Sequence, residues 1–149
     1  MLPFLIESSV PAVRLFELND GRFQLLEAAP VGPFLSGPGY LFVERNLGEF
    51  LVEQGVERIA CDDAILFDRP SNTEIRTHVR IRVGQYFKSD QIYDLDLAGP
   101  RLLTMNDEYY FASPDLRDRL QQAQFGYLTF SEALSGFAGA HSLCLSIRP

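Results

Sequence analysis

Two histidines and two cysteines are the first residues in this 149-residue chain to examine for chemistry. His78 falls within an alternating run, Thr77 to Val83, and His141 within a connection rich in Gly, Ala and Ser. Neither stands at short spacing from a Ser or Cys nucleophile, so no relay for nucleophilic catalysis is indicated and structural roles are expected for both. Cys61 and Cys144 lie far apart without a CxxC motif, and the four residues together lack the spacing of metal ligands. Reduced, buried thiols are the expectation. Gly37-Pro38-Gly39 shares only its glycines with a phosphate loop, because Pro38 removes an N–H donor and no Gly-Lys-Ser/Thr follows; it reads as a turn.

Carboxylates are more plentiful. Asp62-Asp63, Asp94 and Asp96 are the residue types used for general acid–base work or for holding a metal, but no spacing draws them together. Asp94 and Asp96 are instead expected across from Arg80 or Arg82 as exposed cross-strand charge pairs. Arg76, His78, Arg80 and Arg82 form a stripe of the kind that receives a phosphate or carboxylate, with neighbouring acids to neutralise it. Asp107-Glu108 stands just before a Tyr-rich strand much as Asp62-Asp63 follows an earlier one. On this reading Asp62, Asp63, Asp107 and Glu108 lie on loops and are the candidate contacts to a basic partner. The aromatic connections around Phe34 and Tyr86-Phe87 are the next candidates, since buried aromatics commonly anchor interfaces. No residue is assigned as catalytic, and no cofactor or metal site is assigned.

The elements that must position these groups belong to one domain spanning 1–149, as the length predicts. At 46% hydrophobic and 12% aromatic residues, with 12 Phe and 6 Tyr, the composition supports a folded core and excludes extended disorder. A formal net charge of -7 disfavours the phosphate attraction on which nucleic-acid binding depends. The apolar runs fall far short of a bilayer span, so no membrane partner is expected. Met1 to Val10 has no basic start and carries Glu7, which does not read as a signal peptide and predicts a cytoplasmic protein.

Residues 1–39 read as an N-terminal hairpin followed by a connection. Val13 to Leu18 and Arg22 to Leu26 are joined by Asn19-Asp20-Gly21, residues that tolerate the positive φ of a tight turn. Pro30 to Gly39, rich in Pro and Gly, breaks helix and sheet alike. Tyr40 to Val43 then reads as a strand. Asn46 is placed to cap a helix with Glu49 reaching back, Gly55 to end it, and Val56 to Ala60 to return as a strand. The same strand-helix-strand pattern recurs in Tyr109 to Phe111, a helix capped by Ser113 with Pro114 at its first position, and Phe125 to Phe130. In register, Tyr40, Phe42, Leu47 and Leu51 meet Tyr109, Phe111, Leu116 and Leu120. Thr77 to Val83 and Tyr93 to Leu97 alternate as an antiparallel pair. Ser131 opens a final short helix through Phe137, and Leu143, Leu145 and Ile147 form a closing strand. The fold class is therefore α+β, with an antiparallel or mixed sheet, few short helices and two similar strand-helix-strand units.

A family resemblance follows from particular segments. Leu41-Phe42-Val43-Glu44-Arg45 through Val56-Glu57-Arg58-Ile59 carries it first. Gly84-Gln85-Tyr86-Phe87, the aspartates of Tyr93-Asp94-Leu95-Asp96, and Tyr110-Phe111-Ala112-Ser113-Pro114-Asp115-Leu116-Arg117-Asp118-Arg119-Leu120 continue it. Over 40–137 the chain resembles immunity protein family eleven of bacterial polymorphic toxin systems, formerly described as a domain of unknown function. The resemblance implies a protein that binds and neutralises a cognate toxin without catalysis of its own. The competing expectation is a small-molecule enzyme or ligand-binding domain using carboxylates and the Arg stripe.

Overall fold

Short alternating segments separated by Gly, Pro, Asn and Asp leave this chain little choice but a strand-rich fold, and the computed structural model describes residues 1–133 of it. In chain order the elements are β1 (Phe4–Ser8), β2 (Leu15–Glu17), β3 (Phe23–Leu25), β4 (Phe34–Gly37), β5 (Tyr40–Glu44), α1 (Arg45–Glu53) and β6 (Ile59–Asp63). There follow β7 (Leu66–Asp68), β8 (Thr73–Ile75), β9 (His78–Val83), β10 (Leu102–Met105), β11 (Tyr109–Ala112), α2 (Pro114–Gln122) and β12 (Leu128–Glu132). They form three four-stranded sheets, β10-β11-β1-β12, β2-β3-β7-β8 and β4-β5-β9-β6. Pairing is antiparallel except between β3 and β7. The fold is α+β.

The strand-helix-strand pattern is a structural repeat. A shift of 69 residues carries Arg45–Glu53 onto Pro114–Gln122 and Ile59–Asp63 onto Leu128–Glu132. Each unit has the same topology, a hairpin whose second strand leads into the helix, and a returning strand separated from it by one antiparallel strand. That middle strand is β9 in the first unit and β1, from the start of the chain, in the second. Val79 pairs with Val43 and Asp63 just as Phe4 pairs with Ala112 and Glu132. Where Gly48 lets α1 approach Val79, the equivalent Arg117 lays its guanidinium 4.2 Å from the Phe4 ring.

Both helices bury their apolar stripes in one core. Leu47 and Leu51 join Leu116 and Leu120 in a cluster that also holds Val43, Val79, Ile81 and Ala112. Opposite side chains of β5, Tyr40 and Phe42, pack with Phe23 and Leu66 beneath the β2-β3-β7-β8 sheet. On the second unit Leu5, Leu103 and Phe111 are covered by Phe87, Ile92 and Leu97.

Local chemistry explains the ends. Ser113 caps α2 by accepting from Leu116 N at 3.3 Å, with Pro114 at the first helical position. Gly55 (φ 73°) and its equivalent Gln124 (φ 63°) turn the chain left-handed after each helix. The hairpin turn at Asn19-Asp20-Gly21 is present, with Gly21 at φ 90°.

Several expectations are corrected. Pro30 to Gly39 is not all connection: Phe34–Gly37 forms β4, because Pro33 and Pro38 flank these four residues and leave their N–H groups for the ladder. Asn46 does not cap α1. The helix starts two residues earlier, from Glu44, which makes no side-chain cap because its carboxylate accepts from the Tyr127 hydroxyl at 2.7 Å. The returning strands begin at Ile59 and Leu128, each three residues later than Val56 and Phe125, which pack into or against the core instead. Tyr93 to Leu97 is not a strand. A 3-10 turn at Ser89–Gln91 precedes it, Asp94 N donates to Gln91 O, and Leu97 folds under against the second unit. Asp94 and Asp96 therefore do not face Arg80 and Arg82; Asp96 pairs with Arg101 at 3.0 Å. Ser131 lies inside β12, and the rest of the helix expected through Phe137, with His141, Cys144 and the closing strand, falls outside the described residues.

Candidate partner-binding surface

β9 buries Val79, Ile81 and Val83 on one face, and that alternation sets Arg80 and Arg82 side by side on the other. Register then chooses their neighbours. Asp62 of β6 lies directly across from Arg80, so Asp62 and Asp63 end a strand and are not loop residues as the sequence suggested. The Arg82 Nε reaches Asp62 Oδ2 at 3.2 Å, and Arg45 Nη1, from the start of α1, reaches Asp63 Oδ1 at 2.9 Å. Exposed pairs of this kind contribute about 0.2–1 kcal/mol each, so they position carboxylates more than they stabilise the fold. Arg80 donates through Nη2 to the Gly39 carbonyl at 2.9 Å, with its guanidinium 5.2 Å from the Phe23 ring.

Asp107 and Glu108 occupy the turn between β10 and β11. Asn106 (φ 62°) and Asp107 (φ 52°) are both left-handed, the conformation that matches hairpin twist. This turn meets its counterpart from the first unit: Gly39 N donates to the Asp107 carbonyl at 2.9 Å, and the Tyr110 hydroxyl donates to the same oxygen at 3.1 Å. Tyr86 hydrogen-bonds the Asp107 side chain, which pushes its phenol above the ordinary value. Tyr110 is pushed up to about 12, first by burial and then by the Asp107 charge. Tyr127 is also raised, by burial and by Glu44.

A cleft of ≈ 210 Å³ between the two turns is lined by Gly39, Tyr40, Arg80, Arg82, Tyr86 and Asp107. A neighbouring cleft of ≈ 200 Å³ is lined by Asp62 and Asp63 with the same two arginines. Arg80 and Arg82 thus join Asp62 and Asp107 on one face of the molecule, while Asp63 lines the second cleft at the strand end and turns its carboxylate to Arg45 on the other face. Glu108 is not with them and lines a separate cleft beside Glu7 and Arg14.

The remaining candidates sort by burial. Phe34 and Phe87 are core residues and cannot anchor a partner, whereas Tyr86 between them in type is 58% exposed and stands on the surface beside Asp107. Cys61, expected to be buried, is exposed because β6 is the edge of its sheet. It is a free thiol whose pKa is raised by partial burial and by Asp62. His78 is buried and structural in its contacts. Its Nε2 lies 2.7 Å from the Gly32 carbonyl, which can only accept, so Nε2 carries the proton; Nδ1 accepts from the Thr77 hydroxyl at 2.9 Å. Arg76 pairs with Glu74 and leaves the stripe. Among the described residues no cluster of three or more His, Cys, Asp or Glu has the geometry to hold a metal, and no helix is long and apolar enough to cross a membrane.

The contact between Tyr86 and Asp107 was not readable from spacing, because it depends on the segment after β9 turning to bond β10 through Thr104. Comparison of the chain with family models, curated proteins and solved structures gives no match.

Proposed function

We propose that this protein binds and neutralises a cognate bacterial toxin in the cytoplasm, acting by contact and without a reaction of its own. The observation that carries the reading is the exposed strip in which Asp62 and Asp107 flank Arg80 and Arg82, with Tyr86 exposed beside Asp107 and Asp63 at the strand end next to it. Tyr and Arg are the side chains most often enriched where proteins anchor one another, and charges of both signs in fixed positions select a partner by complementarity. The strip rests on strands and a hydrogen-bonded turn, so little ordering entropy is lost on contact. A net charge of -7 favours a basic toxin. The resemblance of 40–137 to immunity protein family eleven supports the same reading.

A ligand-binding alternative would place a phosphate or carboxylate on the Arg stripe. Arg80 is already engaged by the Gly39 carbonyl and Arg82 by Asp62, so an anion would have to displace both, and the protein-partner reading is preferred.

The test is co-expression with the product of the adjoining open reading frame. The proposal predicts that cells survive the toxin and that the two proteins co-purify. Cell death at normal levels of folded protein, with no complex in calorimetric titration, would contradict it.

A further inference from the structure

In the β4-β5-β9-β6 sheet, β6 is the exposed edge. The far edge of the second unit is closed: Thr104 of β10 exchanges backbone bonds with Gln85 and Phe87. β4, the opposite edge of the first sheet, is buried apart from Ser36. β6 instead is exposed from Ala60 to Asp63.

The register shows which backbone groups it offers. Gly84 N donates to Arg58 O at 2.7 Å, which makes that opposed pair a hydrogen-bonded one. Alternation along the ladder makes Ala60 with Arg82, and Asp62 with Arg80, hydrogen-bonded pairs as well. The N–H and C=O groups of Ile59, Cys61 and Asp63 therefore point outward, and among the described residues no backbone or side-chain bond reaches them. Asp62 and Asp63 project from opposite faces of this strand, with side chains 56% and 87% exposed. Arg82 and Arg45 approach them from β9 and α1, on the inner side, so the outer edge presents carboxylates on both faces.

We propose that the toxin is engaged by strand addition, an extended segment bearing Lys or Arg pairing with the outward groups of Ile59, Cys61 and Asp63. This deepens the neutralisation reading and rests on it for the identity of the partner. Backbone bonds supply attachment, and the two aspartates select a basic strand. A second copy of the chain fits less well. Self-pairing through the outward groups centres on Cys61 and sets the Asp62 carboxylates of the two copies on one face at a diagonal spacing of about 7–8 Å, where they repel.

Three measurements test this. In the isolated protein, hydrogen exchange should be fast at the amides of Ile59, Cys61 and Asp63 and slow at Ala60 and Asp62; equal protection at all five would mean the edge is already covered, and the proposal would fall. A blocked hexapeptide alternating Lys and Val should then shift the amide resonances of β6, while a Glu–Val peptide should not. Equal response to both peptides would overturn the claim of charge selection.

The third measurement uses Cys61→Pro, which removes one outward N–H and leaves the ladder with β9 intact. It should weaken the Lys–Val peptide at least about tenfold, while Cys61→Ala keeps affinity. Should Cys61→Pro fail to fold, Asp63→Pro removes the neighbouring outward donor. Unchanged peptide binding by the folded proline variant would refute strand addition, as would a dimer in sedimentation that the proline abolishes. With the toxin as probe, full binding by the proline variant would sink strand addition and leave neutralisation standing. Peptide binding without toxin binding would do the reverse.

Discussion

Truncating Leu120 to Ala tests whether the two units share one core. Leu120 is 2% exposed on the inner face of α2, and its repeat partner Leu51 is 3% exposed on α1. Each packs in the same cluster of buried side chains. Loss of transfer energy plus the cavity left behind places the cost of a buried Leu→Ala change at about 2–5 kcal/mol. Against the roughly 5–15 kcal/mol available to a domain, either change removes a large part of the stability. With a urea slope of about 1–3 kcal/mol per molar, the midpoint should fall by at least about 0.7 M. A common core further requires that Leu51→Ala and Leu120→Ala each lower a single cooperative transition, followed alike by far-ultraviolet circular dichroism and tyrosine fluorescence. A native-like midpoint in either variant would refute the core assignment. Separate transitions for the two units would refute their shared burial.

Other consequences are narrower. Ser113→Ala should lower stability by about 1–3 kcal/mol in chemical denaturation, because the buried hydroxyl both accepts from Leu116 N and donates to the Gly99 carbonyl at 2.7 Å. His78→Ala should cost a similar amount through the lost tie to Gly32 while toxin protection by the folded protein is unchanged. Tyr110 predicts a loss of stability at high pH: its pKa rises from 10.0 unfolded to about 12 folded, so the native state keeps a proton that the unfolded chain sheds. Its contribution is complete below pH 10 and falls as pH rises from 10 toward 12, and Tyr110→Phe should flatten urea midpoints measured across that interval.

Much of this architecture was legible because its signals are local. Ser113-Pro114 fixes the start of α2 from two adjacent residues, and Gly55 stops α1 through its own φ. The repeat was visible in Leu47, Leu51, Leu116 and Leu120, whose helical spacing survives in both copies. What failed depends on distant partners. Glu44 starts α1 without capping it, because Tyr127 takes its carboxylate across 83 residues of chain. Tyr93 to Leu97 alternates like a strand, but the alternation serves a loop that buries Ile92 and Leu97 over Phe111 and exposes Tyr93. Prolines around Phe34–Gly37 suggested an interruption where they mark the ends of a strand.

The candidate surface was legible to the same degree. Alternation identified Arg80 and Arg82 as an outward stripe, but pairing register gave them Asp62 and Gly39 as partners, not Asp94 and Asp96. Asp107 joins the strip only because two hairpin turns of the repeat touch, a contact between segments 68 residues apart, Gly39 and Asp107. Glu108, its neighbour in sequence, lines another cleft, because the left-handed turn at Asn106 and Asp107 reverses the chain between them and β11.

The most direct test of toxin neutralisation through this strip is the association rate with the purified toxin at low and high salt. Wild-type protein should be compared with the triple variant Asp62→Asn, Asp63→Asn, Asp107→Asn and with Glu108→Gln alone. Steering by the strip predicts slower association and a flatter salt dependence for the triple variant, and wild-type behaviour for Glu108→Gln. Unchanged kinetics of the triple variant at both salt concentrations would contradict the assignment and place the interface elsewhere.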